Sequence, residues 1–90
     1  MIRVFLPSQV DSYTAGEREQ HFDAQGIRSL SDVMVALDRR FPGIRFRLVD
    51  EQGGIRRHIA MFVGETMVRS LEVPVADNNR VQIVGALSGG

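Results

Sequence analysis

The stretch SLSDVMVALDRRFPG, residues 29–43, decides the fold that we predict for this chain. Its apolar residues recur at helical spacing and predict one buried stripe, formed by Leu30, Val33, Met34, Leu37 and Phe41. Ser29 is a favourable N-cap, and Asp32, three residues later, completes the pattern of a capping box. Pro42 and Gly43 end the helix. Such a helix needs a second apolar surface to cover its stripe.

Alternating apolar residues predict strands on both sides of this helix. Before it, residues 2–6 have the sequence IRVFL, and residues 19–24 predict an antiparallel partner with Phe22 facing inward. Residues 44–49 predict a short irregular connection or an edge strand. Three further strands are predicted after the helix: a central one at 58–63, a short one at 67–68 and the last at 80–84.

The order of these elements predicts an α+β fold. One main helix covers one face of a mixed four- to five-stranded sheet, because neither element can bury its apolar side alone. The first and last strands can lie side by side in the middle of such a sheet, which is the arrangement of a β-grasp fold. We therefore predict one β-grasp domain over residues 1–86 and a flexible tail over residues 87–90.

The composition excludes several kinds of chemistry. The chain has 90 residues with 11 basic and 11 acidic side chains, a formal net charge of zero and no cysteine. Every basic residue is arginine, so a lysine Schiff base is excluded together with disulfides and thiolate metal sites. His21 and His58 are too few for a metal site, and none is predicted. We expect a cytoplasmic protein that binds neither nucleic acid nor membrane.

The last residues, VGALSGG, carry the chemistry. Glycines have no side chain and adopt almost any backbone conformation, so Gly89 and Gly90 suit a narrow channel in another protein. A segment of this kind can present its terminal carboxylate to a partner's active site. The dipeptide alone is also compatible with a frayed chain end.

At this point the chain resembles the ubiquitin-like sulfur-carrier proteins, which include the small subunit of molybdopterin synthase and the sulfur carrier of the thiamine pathway. The resemblance covers nearly the whole sequence: the opening strand to Pro7, the turn at 14–16, the helix with Pro42 and Gly43, the segment 57–65 and the ending 81–90. The loop around residues 52–54 and the strand at Arg57 are most similar to the branch that serves cysteine synthesis. Gly85 stands where the family more commonly has proline.

The resemblance implies a protein substrate rather than an enzyme. A ubiquitin-activating-type adenylyltransferase would use ATP and Mg²⁺ to form an acyl-adenylate at Gly90, and sulfide or a persulfide would displace AMP. The product would be a thiocarboxylate on Gly90, with Gly89 as the flexible approach, and a synthase would accept its sulfur. The carrier itself would bind no cofactor.

Two alternatives remain open from the sequence. A ubiquitin-like modifier would use the same adenylate to form isopeptide bonds with lysines of target proteins. A plain β-grasp interaction module would carry its glycines incidentally.

Strand 58–63 also predicts a docking patch. If Ile59, Met61 and Val63 face the helix, His58, Ala60 and Phe62 face the opposite side of the sheet. An exposed Phe62 beside Leu87 and Ser88 would be a docking patch for the activating enzyme. In the alternative arrangement, segment 44–49 covers Phe62.

Arginines are concentrated in the middle of the chain, at Arg39, Arg40, Arg45, Arg47, Arg56 and Arg57. Such a run is typical of a solvated face. It also suits pairing with acidic residues of a partner.

Overall fold

A computed structural model of the chain describes residues 1–86. Its described residues form five strands: β1 (Ile2–Phe5), β2 (Glu19–Phe22), β3 (Ile59–Val63), β4 (Thr66–Val68) and β5 (Arg80–Gly85). Three helical segments accompany them: α1 (Asp11–Thr14), α2 (Leu30–Arg40) and α3 (Ile44–Leu48), with a 3-10 turn at Ser8–Val10 before α1. The predicted helix and strands are therefore present, with bounds that differ by one or two residues.

The five strands form one mixed sheet in the order β2-β1-β5-β3-β4. Strands β1 and β5 are parallel, and every other pair is antiparallel. This arrangement confirms the predicted β-grasp fold, in which the first and last strands are neighbours in the middle of the sheet. Strand β3 has a neighbour on each side, as predicted for a central strand.

Helix α2 packs its apolar stripe against one face of this sheet. Leu30, Val33, Met34 and Leu37 have no exposed surface, and they share one core with Val4 of β1, Val81 of β5 and Met61 of β3. The capping box is present at its start. The Ser29 hydroxyl accepts the N–H of Asp32 at 3.3 Å, and the Asp32 carboxylate accepts the N–H of Ser29 at 3.1 Å.

Residues 44–49 correct the sequence prediction, because they form helix α3 rather than an irregular connection or an edge strand. Alternation of arginine with apolar residues suggested an extended segment. Ile44 and Leu48 are four residues apart, however, and both are fully buried on one face of the helix. The carboxylate of Asp38 accepts the N–H groups of Gly43 and Arg45, each at 3.1 Å, and so fixes the turn between α2 and α3.

The capping carboxylate should make stability depend on pH. The N–H of Arg28 donates to Asp32 at 2.9 Å and is the main reason that the pKa of Asp32 lies below its usual value. Its contribution is therefore present above the unfolded-state pKa, about 3.9, and is lost as the pH falls through the lower folded-state value. We expect Asp32→Asn to be less stable than the native chain at neutral pH and to lose less stability on acidification.

Urea unfolding at neutral pH and at about pH 3 measures this difference. The free energies of the variant and the native chain should converge in acid. A constant difference between them at the two pH values would contradict the assignment to the ionised carboxylate.

Candidate functional site: the tail root and the outer sheet face

Strand β5 brings the end of the described chain to one end of the sheet. Gly85 is still paired with Ile59 of β3, and the N–H of Ala86 donates to the carbonyl of His58 at 2.8 Å. We call Gly85 and Ala86 the tail root. The predicted flexible tail, Leu87 to Gly90, lies outside the described residues, so the roles assigned to Leu87, Ser88, Gly89 and Gly90 stay predictions.

Gln9 lies across the tail root. Its side-chain amide donates to the carbonyl of Ala86 at 3.2 Å. A Cβ atom added at Gly85 would clash with the amide group of Gln9. Glycine at position 85 therefore leaves the space that the Gln9 side chain occupies.

The sheet face opposite α2 is largely apolar near β3. Phe62 of β3 lies between Gln82 of β5 and Met67 of β4, and Ala60 lies beside Val84. Met67 and Val84 are 49% and 40% exposed, and Phe62 is half-buried but does not pack against the core. We call this surface, formed by Ala60, Phe62, Met67, Gln82 and Val84, the outer face. Phe5 of β1 extends it beyond Gln82.

The alternation in β3 is as the sequence predicts. Met61 is fully buried and Ile59 and Val63 pack against the core, whereas Ala60 and Phe62 are on the outer face. His58 is exposed just before the strand begins.

Segment 44–49 does not cover Phe62, because α3 buries Ile44 and Leu48 in the core on the side of α2. This excludes the alternative arrangement considered from the sequence. The role of the outer face in binding a partner stays a prediction.

At its end near the tail root, the outer face opens into a groove of about 440 Å³. Ala60, Met67 and Val84 form part of its apolar surface, and Arg57 and Arg69 are among its polar lining residues. Sequence reasoning did not select Met67, Val84 or Arg69 for this site. The alternation along β5 could have identified Val84. Val81 and Ile83 face the core, so Val84 must face the opposite side of the sheet.

Residues 1–86 were searched for a metal-binding cluster and for a membrane-spanning helix, and neither is present among them. No cluster of histidine, aspartate and glutamate side chains among them could hold a metal ion. None of the helices they form is both long and apolar enough to span a membrane.

The fold and the position of the tail root define the class of protein: a ubiquitin-like β-grasp protein. Among solved structures similar to this chain is CysO of Amycolatopsis orientalis in its complex with BexX, at 29% identity over 100% of both chains and a TM-score of 0.85. CysO of Mycobacterium tuberculosis, described as an antigen, matches at 25% identity over 97% of this chain and 100% of its own, also at a TM-score of 0.85.

SAMP1 of Haloferax volcanii shares the fold, with 21% identity, a TM-score of 0.80 and coverage of 99% of this chain and 98% of its own. No protein-family model and no curated protein matches the chain. The similarity to ubiquitin-like sulfur carriers near the cysteine-synthesis branch, which the sequence indicated, is confirmed.

The contact between Gln9 and the tail root predicts that substitutions at Gln9 and Gly85 have coupled effects on the free energy of unfolding. In the native chain, Gly85→Ala should displace the Gln9 amide and destabilise the fold by about 0.5–1 kcal/mol, the net value of one hydrogen bond. In a Gln9→Ala background the same change should be neutral or slightly stabilising, because it restricts the unfolded chain.

Urea unfolding of the native chain, both single variants and the double variant gives the coupling energy directly. Additive effects of the two changes would show that Gln9 does not determine the requirement for glycine at position 85.

Proposed function

We propose that the chain is a ubiquitin-like sulfur carrier that is acted on by other enzymes. In this proposal Gly90 is the carboxyl terminus, and its carboxylate is first adenylated and then converted to a thiocarboxylate. The observation that carries the proposal is the position of β5, a middle strand that ends in the small residues of the tail root beside an exposed apolar face. The similarity over the full length of two CysO proteins supports it.

The chemistry requires an activated carboxylate. A carboxylate repels nucleophiles and lacks a good leaving group, so one of its oxygens attacks the α-phosphorus of ATP and pyrophosphate leaves. Mg²⁺ on the activating enzyme would neutralise the phosphate charge during this step. Sulfide then attacks the acyl carbon, AMP leaves, and the thiocarboxylate remains on Gly90. Its sulfur is nucleophilic without any cysteine in the carrier.

The outer face is proposed to dock the ubiquitin-activating-type adenylyltransferase. Phe62 and Ala60 lie on it, and His58 lies at its edge next to the tail root, so an enzyme seated there would be close to the chain segment that must enter its active site. Leu87 and Ser88 would complete the contact in this proposal. Aromatic side chains in an apolar surface are typical anchors of protein interfaces.

A second enzyme would accept the sulfur. One of the similar structures is itself a complex of CysO with BexX, which supports a carrier that binds a partner protein. The similarity to CysO proteins favours a biosynthetic acceptor in amino-acid or cofactor synthesis. A modifier conjugated to lysines would use the same adenylate, and the experiment below separates the two.

Intact mass spectrometry tests the proposal. The native chain, incubated with ATP, Mg²⁺, sulfide and a cognate activating enzyme, should gain the mass that corresponds to replacing one oxygen by sulfur. The chain that lacks Gly90 should gain nothing. Adducts on lysines of other proteins would instead favour the modifier, and an unchanged mass with an enzyme that loads another carrier would favour the plain interaction module.

Phe62→Ala tests the outer face. Because the variant removes a half-buried anchor that lies outside the core, the KM for loading should rise about tenfold, the effect of losing about 1.4 kcal/mol of binding free energy. Val35→Ala is the matched control, since Val35 is 40% exposed on the solvent side of α2. Equal KM values for the two variants would exclude the outer face as the docking site.

A further inference from the structure

Strand β5 extends further along the sheet than its neighbour β1. The pairing of these two strands ends where Phe5 lies opposite Gln82, whereas the pairing of β5 with β3 continues to Gly85. Beyond Phe5 the chain stays hydrogen-bonded on the side of β2, since the N–H of Leu6 donates to the carbonyl of Arg18 at 2.7 Å. Within residues 1–86 the tail root therefore has a strand neighbour on one side only. A strand end with one neighbour frays more readily than a strand with two.

Gln9 provides a second contact to this strand end. The N–H of Ala86 donates to the carbonyl of His58 at 2.8 Å, and the carbonyl of Ala86 accepts the side-chain amide of Gln9 at 3.2 Å. Gly85 alternates with the buried Ile83, so a side chain at position 85 would face the core side of the sheet. The Gln9 amide occupies that space. One side chain thus contacts both residues of the tail root.

The backbone that carries Gln9 is anchored independently of the tail root. Gln9 lies in the 3-10 turn Ser8–Val10, in which the side chain of Val10 is only 1% exposed. Directly after this turn, the guanidinium of Arg18 donates to the carboxylate of Asp11 at 2.8 and 3.0 Å. The Gln9 side chain is itself exposed and lies outside the core cluster. Its truncation opens no cavity, so the effect on the tail root can be measured in a chain that remains folded.

We propose that Gln9 is a positioning residue for the loading reaction, because it fixes the point from which the tail starts. The inference rests on the proposed function, since it needs an activating enzyme that acts on the carboxylate of Gly90. The four residues after Ala86 can extend about 13–14 Å at most, so the position of Ala86 limits where Gly90 can be placed. Each residue that must be ordered in the enzyme costs conformational entropy, and an anchored tail root leaves fewer residues to order.

Gln9 is placed to affect the reaction without affecting docking. It contacts the tail root from the core side of the sheet, whereas Phe62 lies on the outer face, which we propose as the docking surface. Loss of the Gln9 contact should therefore leave the affinity for the activating enzyme unchanged. It should instead lower the fraction of docked complexes in which the Gly90 carboxylate is in place to attack ATP. A loss of positioning lowers kcat, whereas a loss of docking raises KM.

Nuclear magnetic relaxation of the ¹⁵N-labelled full chain tests the structural part of the proposal without any enzyme. In the native chain the order parameter of the Ala86 amide should be near the rigid value of about 0.85, and in Gln9→Ala it should fall below about 0.6. The amides of Met61 and Val81, in the middle of the sheet, should keep the rigid value in both chains. The same order parameter for Ala86 in both chains, or an equal decrease at Met61 and Val81, would overturn the proposal.

Loading kinetics, followed as pyrophosphate release by a cognate activating enzyme in the presence of ATP, Mg²⁺ and sulfide, test the functional part. In Gln9→Ala, kcat should fall about tenfold at a native KM, because one more residue must be ordered before each reaction. Gln9→Glu should lose as much, since a carboxylate accepts but does not donate hydrogen bonds at neutral pH. Gln25→Ala is the matched control. It removes an exposed glutamine side chain from the loop between β2 and α2 and should load at the native rate.

Three results would contradict this role of Gln9. A native kcat in Gln9→Ala would show that the contact does not position the tail. A higher KM at an unchanged kcat would make Gln9 part of the docking surface instead. A native kcat in Gln9→Glu would show that the donated hydrogen bond is not the cause. Failure of the proposed function is a separate result, because the native chain itself would then release no pyrophosphate.

Discussion

The parallel pairing of β1 with β5 is the constraint on which the rest of the molecule depends. Val4 and Val81 face each other across this pair, and both are fully buried beneath α2. Parallel neighbours cannot be joined by a tight turn, so the chain must leave β1 and return to β5 by a long crossover. All the other elements lie in that crossover. The two strands at the ends of the described chain are thereby held together in the middle of the sheet.

This pairing also determines where the end of the described chain lies. Strand β5 pairs with β1 over residues 80–82 and with β3 over residues 81–85, and the pairing with β3 fixes the tail root relative to the rest of the fold. Beside the tail root lie the outer face, which is apolar around Phe62, and a groove next to α3 that is lined by Arg47 and Arg56. Two grooves that share Arg56, His58, Ile59 and Ala86 open beside the tail root.

The neutral overall charge conceals an uneven distribution. Arg47, Arg56, Arg57 and Arg69 line the two grooves beside the tail root, whereas several carboxylates act locally as helix caps and turn acceptors. Composition alone argues against a polyanion-binding protein, and that expectation stays a prediction. It does not show that positive charge is concentrated beside the tail root, because charge segregation is a property of the folded surface.

The sequence by itself determined the features that depend on neighbours a few residues apart: the stripe and capping box of α2, the alternation that turns Phe62 away from the core, and the small residues that end the chain. It did not determine α3. Ile44 and Leu48 fit both the alternating pattern of a strand and the four-residue spacing of a helix, and only burial against α2 and the sheet selects the helix. The contact of Gln9 with Ala86 joins residues 77 positions apart. Only the tertiary structure decided such contacts, because they form when distant strands and helices have packed and no local pattern specifies them.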